Sequence, residues 1–168
     1  VNAREIVGAD DLRRADLVRD QAALHGLVYA AALPLFLLAG QLRWLPTGIV
    51  GWLIALSLTE HFSQEQSRLL TVLGRPVAAN LVLFVRLGSW GGLLALMFGL
   101  GLRPSLSDVL LLWTGGVIAA IVTASVLLSQ MGLLRSLRRR PNWSWMGAGL
   151  RQSRPFWVST ISLSTIYF

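Results

Sequence analysis

Long apolar runs constrain this chain more than any other feature of its sequence. The clearest run covers residues 109–134 and contains no charged side chain. A helix needs about 20 apolar residues to cross the hydrocarbon core of a bilayer. Apolar residues make up 54% of the 168 residues and charged residues 14%, compared with roughly 25% charged residues in soluble domains. A soluble domain of this length could not bury so much apolar surface, so we expect an integral membrane protein.

Four apolar runs predict four transmembrane helices. They cover residues 22–41, 47–62, 76–102 and 109–134. The predicted fold class is therefore all-α, a polytopic membrane helix bundle of four complete spans that forms one domain over residues 22–134. Small residues four apart favour close packing of the last two spans, although such residues are also common in membrane helices. The pairs are Gly88 and Gly92, Gly115 and Ala119, and Gly116 and Ala120.

Polar segments flank the predicted bundle. Residues 1–21 mix acidic and basic side chains and are expected to contain a helix that begins near Asp10 or Asp11. Residues 135–154 form a basic linker and a short helix from Trp143 to Arg154, whose tryptophans beside arginines favour the headgroup layer. Residues 155–168 are apolar but reach only about 21 Å as a helix. We expect them to be the start of a fifth span.

The distribution of arginine predicts the orientation. The net charge is +7 and there is no lysine. The arginines cluster in the N-terminal segment, between the second and third runs, and after the fourth run. The positive-inside rule places these three regions in the cytoplasm, so we expect a multi-pass protein of a bacterial plasma membrane with a cytoplasmic N-terminus. A soluble protein this basic would suggest nucleic acid, but arginines in the gaps between apolar runs argue against that partner.

Arg86 is the most informative residue for predicting the function. It lies ten residues after Pro76, about 15 Å along a helix, and therefore near the middle of the bilayer if Pro76 marks the interface. An unpaired cation there costs at least ~2.5 kcal/mol. Ser89 and Trp90 share its helical face and could hold the guanidinium. The sequence fits an anion-binding position in a transport cavity, and equally an arginine that reaches the interface from a helix entering lipid later.

The segment from Glu60 to Arg68 continues the second apolar run as a polar helix. Glu60, Gln64 and Arg68 fall at successive i+4 steps along one side. A carboxylate at this position could titrate, or it could neutralise an intramembrane arginine such as Arg86. The alternative is a solvated extension of the helix in the cytoplasm.

No catalytic constellation is found in the sequence. His25 and His61 lie far apart, there is no cysteine, and carboxylate pairs, phosphate-binding glycine loops and metal-ligand spacings are absent. His25 is expected to be alone at a membrane interface. We therefore predict a protein that is not an enzyme and needs no cofactor. A membrane glycosyl- or phosphotransferase that uses scattered arginines and one glutamate is the enzymatic alternative, and it would depend on Glu60 or His61.

Three stretches carry a family resemblance. TEHFSQEQSRLL at residues 59–70 is followed by Gly74-Arg75-Pro76 and then by ANLVLFVRLGSW at residues 79–90. This order resembles bacterial polysaccharide flippases of the multidrug/oligosaccharidyl-lipid/polysaccharide exporter superfamily, in which Gly-Arg-Pro leads into a helix that carries Ala-Asn, Phe-x-Arg and a tryptophan. The Trp-Ser-Trp at residues 143–145 is similar to the linker between the two halves of such proteins.

The resemblance implies flipping or export of lipid-linked oligosaccharides for cell-envelope biosynthesis. Membrane lipid, a polyprenyl-diphosphate-linked glycan and other envelope-biosynthesis membrane proteins would be the partners. Arg86 and Arg75 would meet the diphosphate, and Glu60 would couple to ions or balance charge. Arg68 and Trp90 complete the expected substrate-binding residues.

Members of this family have two pseudo-symmetric halves, and the chain would correspond to the third through sixth helices and the start of the next. It would then be part of a transporter. The alternative is a small four-span accessory or scaffold protein of an envelope complex.

Overall fold

The structure, a computed structural model, describes the backbone of residues 3–41 and 47–151 and the side chains of most of these residues. Helices dominate this part of the chain, and it contains no strand, so the predicted all-α class is confirmed. The helices are α1 (Ala3–Gly8), α2 (Asp11–Gln41), α3 (Thr47–Val72), α4 (Pro76–Gly99), α5 (Leu106–Gln130) and α6 (residues 143–151).

Helices α2 to α5 run alternately up and down. Gln21 on α2 donates a 2.9 Å hydrogen bond from Nε2 to Oε2 of Glu65 on α3, which fixes the register of this antiparallel pair. Helices α3 and α5 run parallel, and Gln66 Nε2 donates to Ser125 Oγ at 3.0 Å between them. Helix α4 runs antiparallel to both α3 and α5 and packs against both. Short turns join it to each of them, the arrangement expected for helices connected by few residues.

The boundaries of α4 and α5 differ from the predicted ones because local capping signals set them. Helix α4 ends at Gly99 rather than at residue 102, and Gly101 follows with a φ of +74°, a conformation that stops a helix. Helix α5 begins at Leu106 rather than at residue 109. Ser105 caps it, since its hydroxyl accepts from the Asp108 N–H while the Asp108 carboxylate accepts from the Ser105 N–H at 2.8 Å.

The other end of α5 also comes earlier than predicted. The helix stops at Gln130, and Gly132 adopts a φ of +71° two residues later. Turns then replace the helix that was expected to continue to residue 134. The chain can therefore change direction here and return to the bundle.

A stripe of small residues on α5 forms its contact with α4. Gly116, Ala120 and Ala124 are all buried and lie at i+4 steps, so they share one face of the helix. Ala120 and Ala124 belong to a core with Leu70, Ala79, Val82, Leu128 and Leu133. Of the small-residue pairs predicted to pack, Gly116 and Ala120 lie in this contact, whereas Gly115 and Ala119 are exposed.

Two of the four predicted membrane spans are supported. Within the described residues, α4 and α5 are long and apolar enough to cross a bilayer, and only 11% and 28% of their most apolar stretches are buried. Helix α3 does not qualify, because its second half carries Glu60, Glu65 and Arg68. Several side chains in the apolar half of α2 lie outside the described residues.

The first two helices contact the segment that follows α5 at one end of the bundle. Asp20 is fully buried, and its Oδ1 accepts from the backbone N–H of Asn142 at 2.9 Å and pairs with Arg19 at 2.7 Å. Trp145 Nε1, on α6, donates to Glu5 Oε2 at 3.4 Å. The turn between α3 and α4 lies at the same end, since Gly74 and Arg75 line one cavity together with Ile6, Asp11 and Met131.

The structure describes the predicted segments on either side of the bundle only in part. A single helix, α2, runs through the domain boundary predicted between residues 21 and 22, and it begins at Asp11, as expected. The short helix predicted from Trp143 is present as α6, although Arg154 lies outside the described residues. Residues 155–168, the predicted start of a fifth span, also lie outside them.

Candidate functional site

A buried ion pair joins α3 to α4 near the middle of both helices. Arg86 Nε lies 3.6 Å from Glu60 Oε2, and the two side chains are 11% and 17% exposed. Arg86 lies about 15 Å along α4 from Pro76, so its charge is far from either end of that apolar helix. A buried cation needs an opposite charge, and the neutralisation of Arg86 by Glu60 that the sequence suggested is present in the structure.

Helix α5 completes the surroundings of the carboxylate. Trp113 Nε1 donates a 2.7 Å hydrogen bond to Glu60 Oε1. Its indole stacks on that of Trp90, with ring centroids 5.6 Å apart and planes inclined by 22°. Both oxygens of Glu60 are thus engaged, one by a cation on α4 and the other by an N–H on α5. The carboxylate therefore links three helices.

A glycine allows α5 to come close enough for this arrangement. A Cβ added at Gly116 would lie 2.8 Å from Ser89 Oγ and 3.1 Å from the backbone oxygen of Arg86. Only a residue without a side chain fits this crossing. Trp113 lies three residues earlier on the same face of α5, and the close crossing brings its indole onto Trp90 and within reach of Glu60.

Several donors at this site make no hydrogen bond within the described residues. These are Arg86 Nε and Nη1 and the indole N–H of Trp90, all of them buried. The 3.6 Å separation between Arg86 and Glu60 is an ion pair longer than a hydrogen bond. Leaving a buried donor unpaired costs about 1–3 kcal/mol. The site can therefore offer N–H groups to an acceptor without breaking a hydrogen bond.

The five residues predicted to bind substrate are not all together. Glu60, Arg86 and Trp90 meet as described, with Trp90 stacked on Trp113 and Ser89 Oγ donating to the carbonyl of Val85. Neither Ser89 nor Trp90 holds the guanidinium within the described residues, which corrects that expectation.

Arg75 and Arg68 lie elsewhere. Arg75 is exposed at the start of α4 and, with Asp11 and Arg14, lines a basin of about 470 Å³ at the end of the bundle. Arg68 has 72% of its side chain exposed and lies 3.7 Å from Glu65. Glu60, Gln64 and Arg68 lie at i+4 steps on the continuous helix α3, but Glu60 contacts Arg86 and Trp113 whereas Arg68 pairs with Glu65.

The structure also brings together two histidines that the sequence separates. The rings of His25 and His61 lie 5.5 Å apart edge to face, and the ring of Tyr29 lies 5.7 Å from that of His61. The expectation that His25 is alone is therefore wrong. The antiparallel register of α2 and α3 is the signal that could have revealed this contact. Among the described residues, no group of three or more metal-ligating side chains is found.

Comparison with models of protein families, with curated proteins and with solved structures found no match.

Proposed function

We propose that the chain is part of a multi-pass membrane transporter that flips or exports an anionic, lipid-linked oligosaccharide. The single observation that carries the proposal is the buried ion pair of Glu60 and Arg86 halfway along an apolar helix. A cation at such a depth is costly and usually serves a substrate or ion pathway. The resemblance of residues 59–90 to polysaccharide flippases gives the substrate class.

The surface of α4 and α5 supports insertion into a membrane. Large apolar side chains project outward along both helices, among them Phe84 at 70%, Leu96 at 58% and Leu111 at 61% exposure. The apolar core helix of a soluble protein would be mostly buried, whereas these two are mostly exposed. Lipid chains can cover such a surface, and water cannot do so without a large cost.

The remaining topology is part of the proposal. On this account α2 and α3 are the two further spans. Glu60 then lies at the depth of Arg86, and the polar half of α3 runs from there toward the end of the bundle that carries most of the arginines. This end faces the cytoplasm of a bacterial cell by the positive-inside rule. The N-terminus is then cytoplasmic, and the turn between α4 and α5, which holds only Arg103, faces the other side.

Arg86 is the substrate-binding residue in this account. An anionic diphosphate that reaches Arg86 meets guanidinium N–H groups, at Nε and Nη1, that make no hydrogen bond with the described part of the chain. Glu60 remains held by Trp113 when the arginine turns to the anion, so the carboxylate does not have to leave its position. Arg75, about 16 Å away along α4, provides an earlier contact at the cytoplasmic end of the same helix.

The test compares arginine variants in cells that depend on the full-length protein. Arg86→Ala should abolish export of the lipid-linked glycan while the amount of protein in the membrane stays the same. Arg103→Ala, at an exposed arginine in the turn between α4 and α5, is the matched control and should export normally. Export by Arg86→Ala equal to that of the control would reject the role of Arg86.

A second variant separates loss of binding from loss of folding. Glu60→Gln combined with Arg86→Gln removes both charges and leaves no uncompensated ion in the bundle. It should insert and fold but should not export. Normal export by this double variant would contradict the proposal even if Arg86→Ala were poorly folded.

A further inference from the structure

Among the described residues, some arginines have acidic partners and others do not. One group includes Arg14, which lies 3.2 Å from Asp11, and Arg19, which lies 3.0 Å from Asp16. A second group, which we call the basic turn, consists of Arg135, Arg138, Arg139 and Arg140. All four are exposed, and none forms an ion pair within the described part of the chain.

The sequence around the basic turn offers no negative charge. Asp108 is the last acidic residue of the chain, so the four arginines have no counter-charge nearby along the sequence. Like charges this close repel one another, and the repulsion falls when anions gather at the surface. The basic turn therefore favours an anionic partner.

Exposed apolar side chains lie beside these arginines. Leu137, within the basic turn, is 45% exposed, and Trp143, at the start of α6, is 64% exposed. The whole segment follows directly after α5, the more hydropathic of the two apolar helices. Tryptophan next to arginine is typical of the layer where lipid headgroups meet hydrocarbon. A nucleic acid would use the charges but would leave Leu137 and the apolar α5 beside it uncovered.

The backbone of this surface is held in place. Leu133, Ser136 and Met146 are 4%, 1% and 2% exposed, so residues on both sides of the arginines are packed into the bundle. The backbone N–H of Asn142 is bound to the buried Asp20. The arginines therefore point outward from a fixed segment at the end of α5 and do not belong to a free tail.

We propose that the basic turn and Trp143 form a binding surface for the headgroups of anionic phospholipids in the leaflet at this end of the bundle. The guanidinium groups bind the phosphates as paired donors, and Trp143 inserts at the level of the glycerol backbone. The proposal requires membrane insertion, but it does not depend on which substrate is transported.

The experiment measures thermal unfolding of the purified chain in a mild detergent. Added phosphatidylglycerol should raise the melting temperature more than the same amount of phosphatidylcholine, because a lipid that binds the folded state stabilises it. The difference should shrink at high salt, which screens exposed charges. Arg138→Gln combined with Arg139→Gln should weaken binding of phosphatidylglycerol by a factor on the order of five for each arginine.

The matched control removes the same charge elsewhere. Arg13→Gln combined with Arg103→Gln replaces two exposed arginines outside the basic turn, and it should keep the preference for phosphatidylglycerol. Equal stabilisation by the two lipids, or an equal loss in both double variants, would overturn the proposal. A single-stranded oligonucleotide that stabilises the protein as well as phosphatidylglycerol does would also overturn it, in favour of a nucleic-acid partner. The lipid-binding measurement does not involve glycan export. The proposed transport function and the proposed lipid-binding surface can therefore be rejected independently of each other.

Discussion

Trp113 donates its indole N–H to Glu60 at 2.7 Å, although 53 positions separate the two residues in the sequence. The bond holds a carboxylate of α3 against α5, while the other oxygen of the same carboxylate faces Arg86 on α4. One acidic side chain therefore links all three helices.

Replacing Trp113 by phenylalanine should remove the hydrogen bond and retain a ring that can stack on Trp90. We expect the free energy of unfolding to fall by about 1.5–3 kcal/mol, the usual value for a hydrogen bond to a charged group. Titration of the detergent-solubilised protein with a denaturing detergent measures the change. Trp143→Phe, at a 64% exposed tryptophan, is the control and should change stability by less than 0.5 kcal/mol, roughly the limit for surface sites. Equal effects of the two changes would show that the Trp113 bond is not stabilising.

Gly116→Ala should push α4 and α5 apart. The new methyl group would lie 2.8 Å from Ser89 Oγ and 3.1 Å from the Arg86 carbonyl oxygen, and a backbone atom cannot move aside as a side chain can. We expect a loss of about 1–3 kcal/mol in the free energy of unfolding. Gly115→Ala is the neighbouring control, because nothing lies within 4 Å of a Cβ at that position. It should be neutral or slightly stabilising, since alanine favours helix over glycine. A loss of the same size at both positions would contradict the close crossing.

The contact between α2 and α3 can be tested by cross-linking. The chain has no cysteine, so a pair introduced at His25 and His61 would be the only thiols present. Because the two rings lie 5.5 Å apart, a short bifunctional thiol reagent should join the two cysteines within one chain. The control pairs His25→Cys with Ser63→Cys, two residues farther along α3 and on another side of that helix. Cross-linking of the control as fast as of the test pair would mean that this register is wrong.

Apolar runs in the sequence were enough to locate α4 and α5, but they misplaced the start of α5 and did not reveal α1. Pro76 at the first position of α4 and the capping box of Ser105 and Asp108 at the start of α5 are written in neighbouring residues. The sequence-based boundaries failed at Gly101 and Gly132, where a left-handed glycine ends the helix before the apolar residues end. Hydropathy alone does not register such a stop, because the backbone conformation and not the polarity of the side chains sets it.

The candidate site was predictable only in part. The cost of burying Arg86 indicated that it needs a partner, and Glu60 was one candidate beside Ser89 and Trp90; that argument needs no tertiary information. Trp113 and Gly116 were missed, because their roles depend on how α5 is placed against α3 and α4. Arg75 and Arg68 were grouped with Arg86 through a sequence motif. A helix advances about 1.5 Å per residue, so Arg75 and Arg86 are far apart on α4.

The most direct test of the account is a double-mutant cycle on the ion pair of Glu60 and Arg86. Unfolding free energies would be measured for Glu60→Gln, for Arg86→Gln and for the two changes combined, in the same detergent titration. Each single change leaves one charge without its partner in the bundle and should cost about 3 kcal/mol. The combined change should cost clearly less than the sum, with a coupling of at least about 1 kcal/mol. Costs that simply add would contradict the claim that Glu60 neutralises Arg86 inside the bundle.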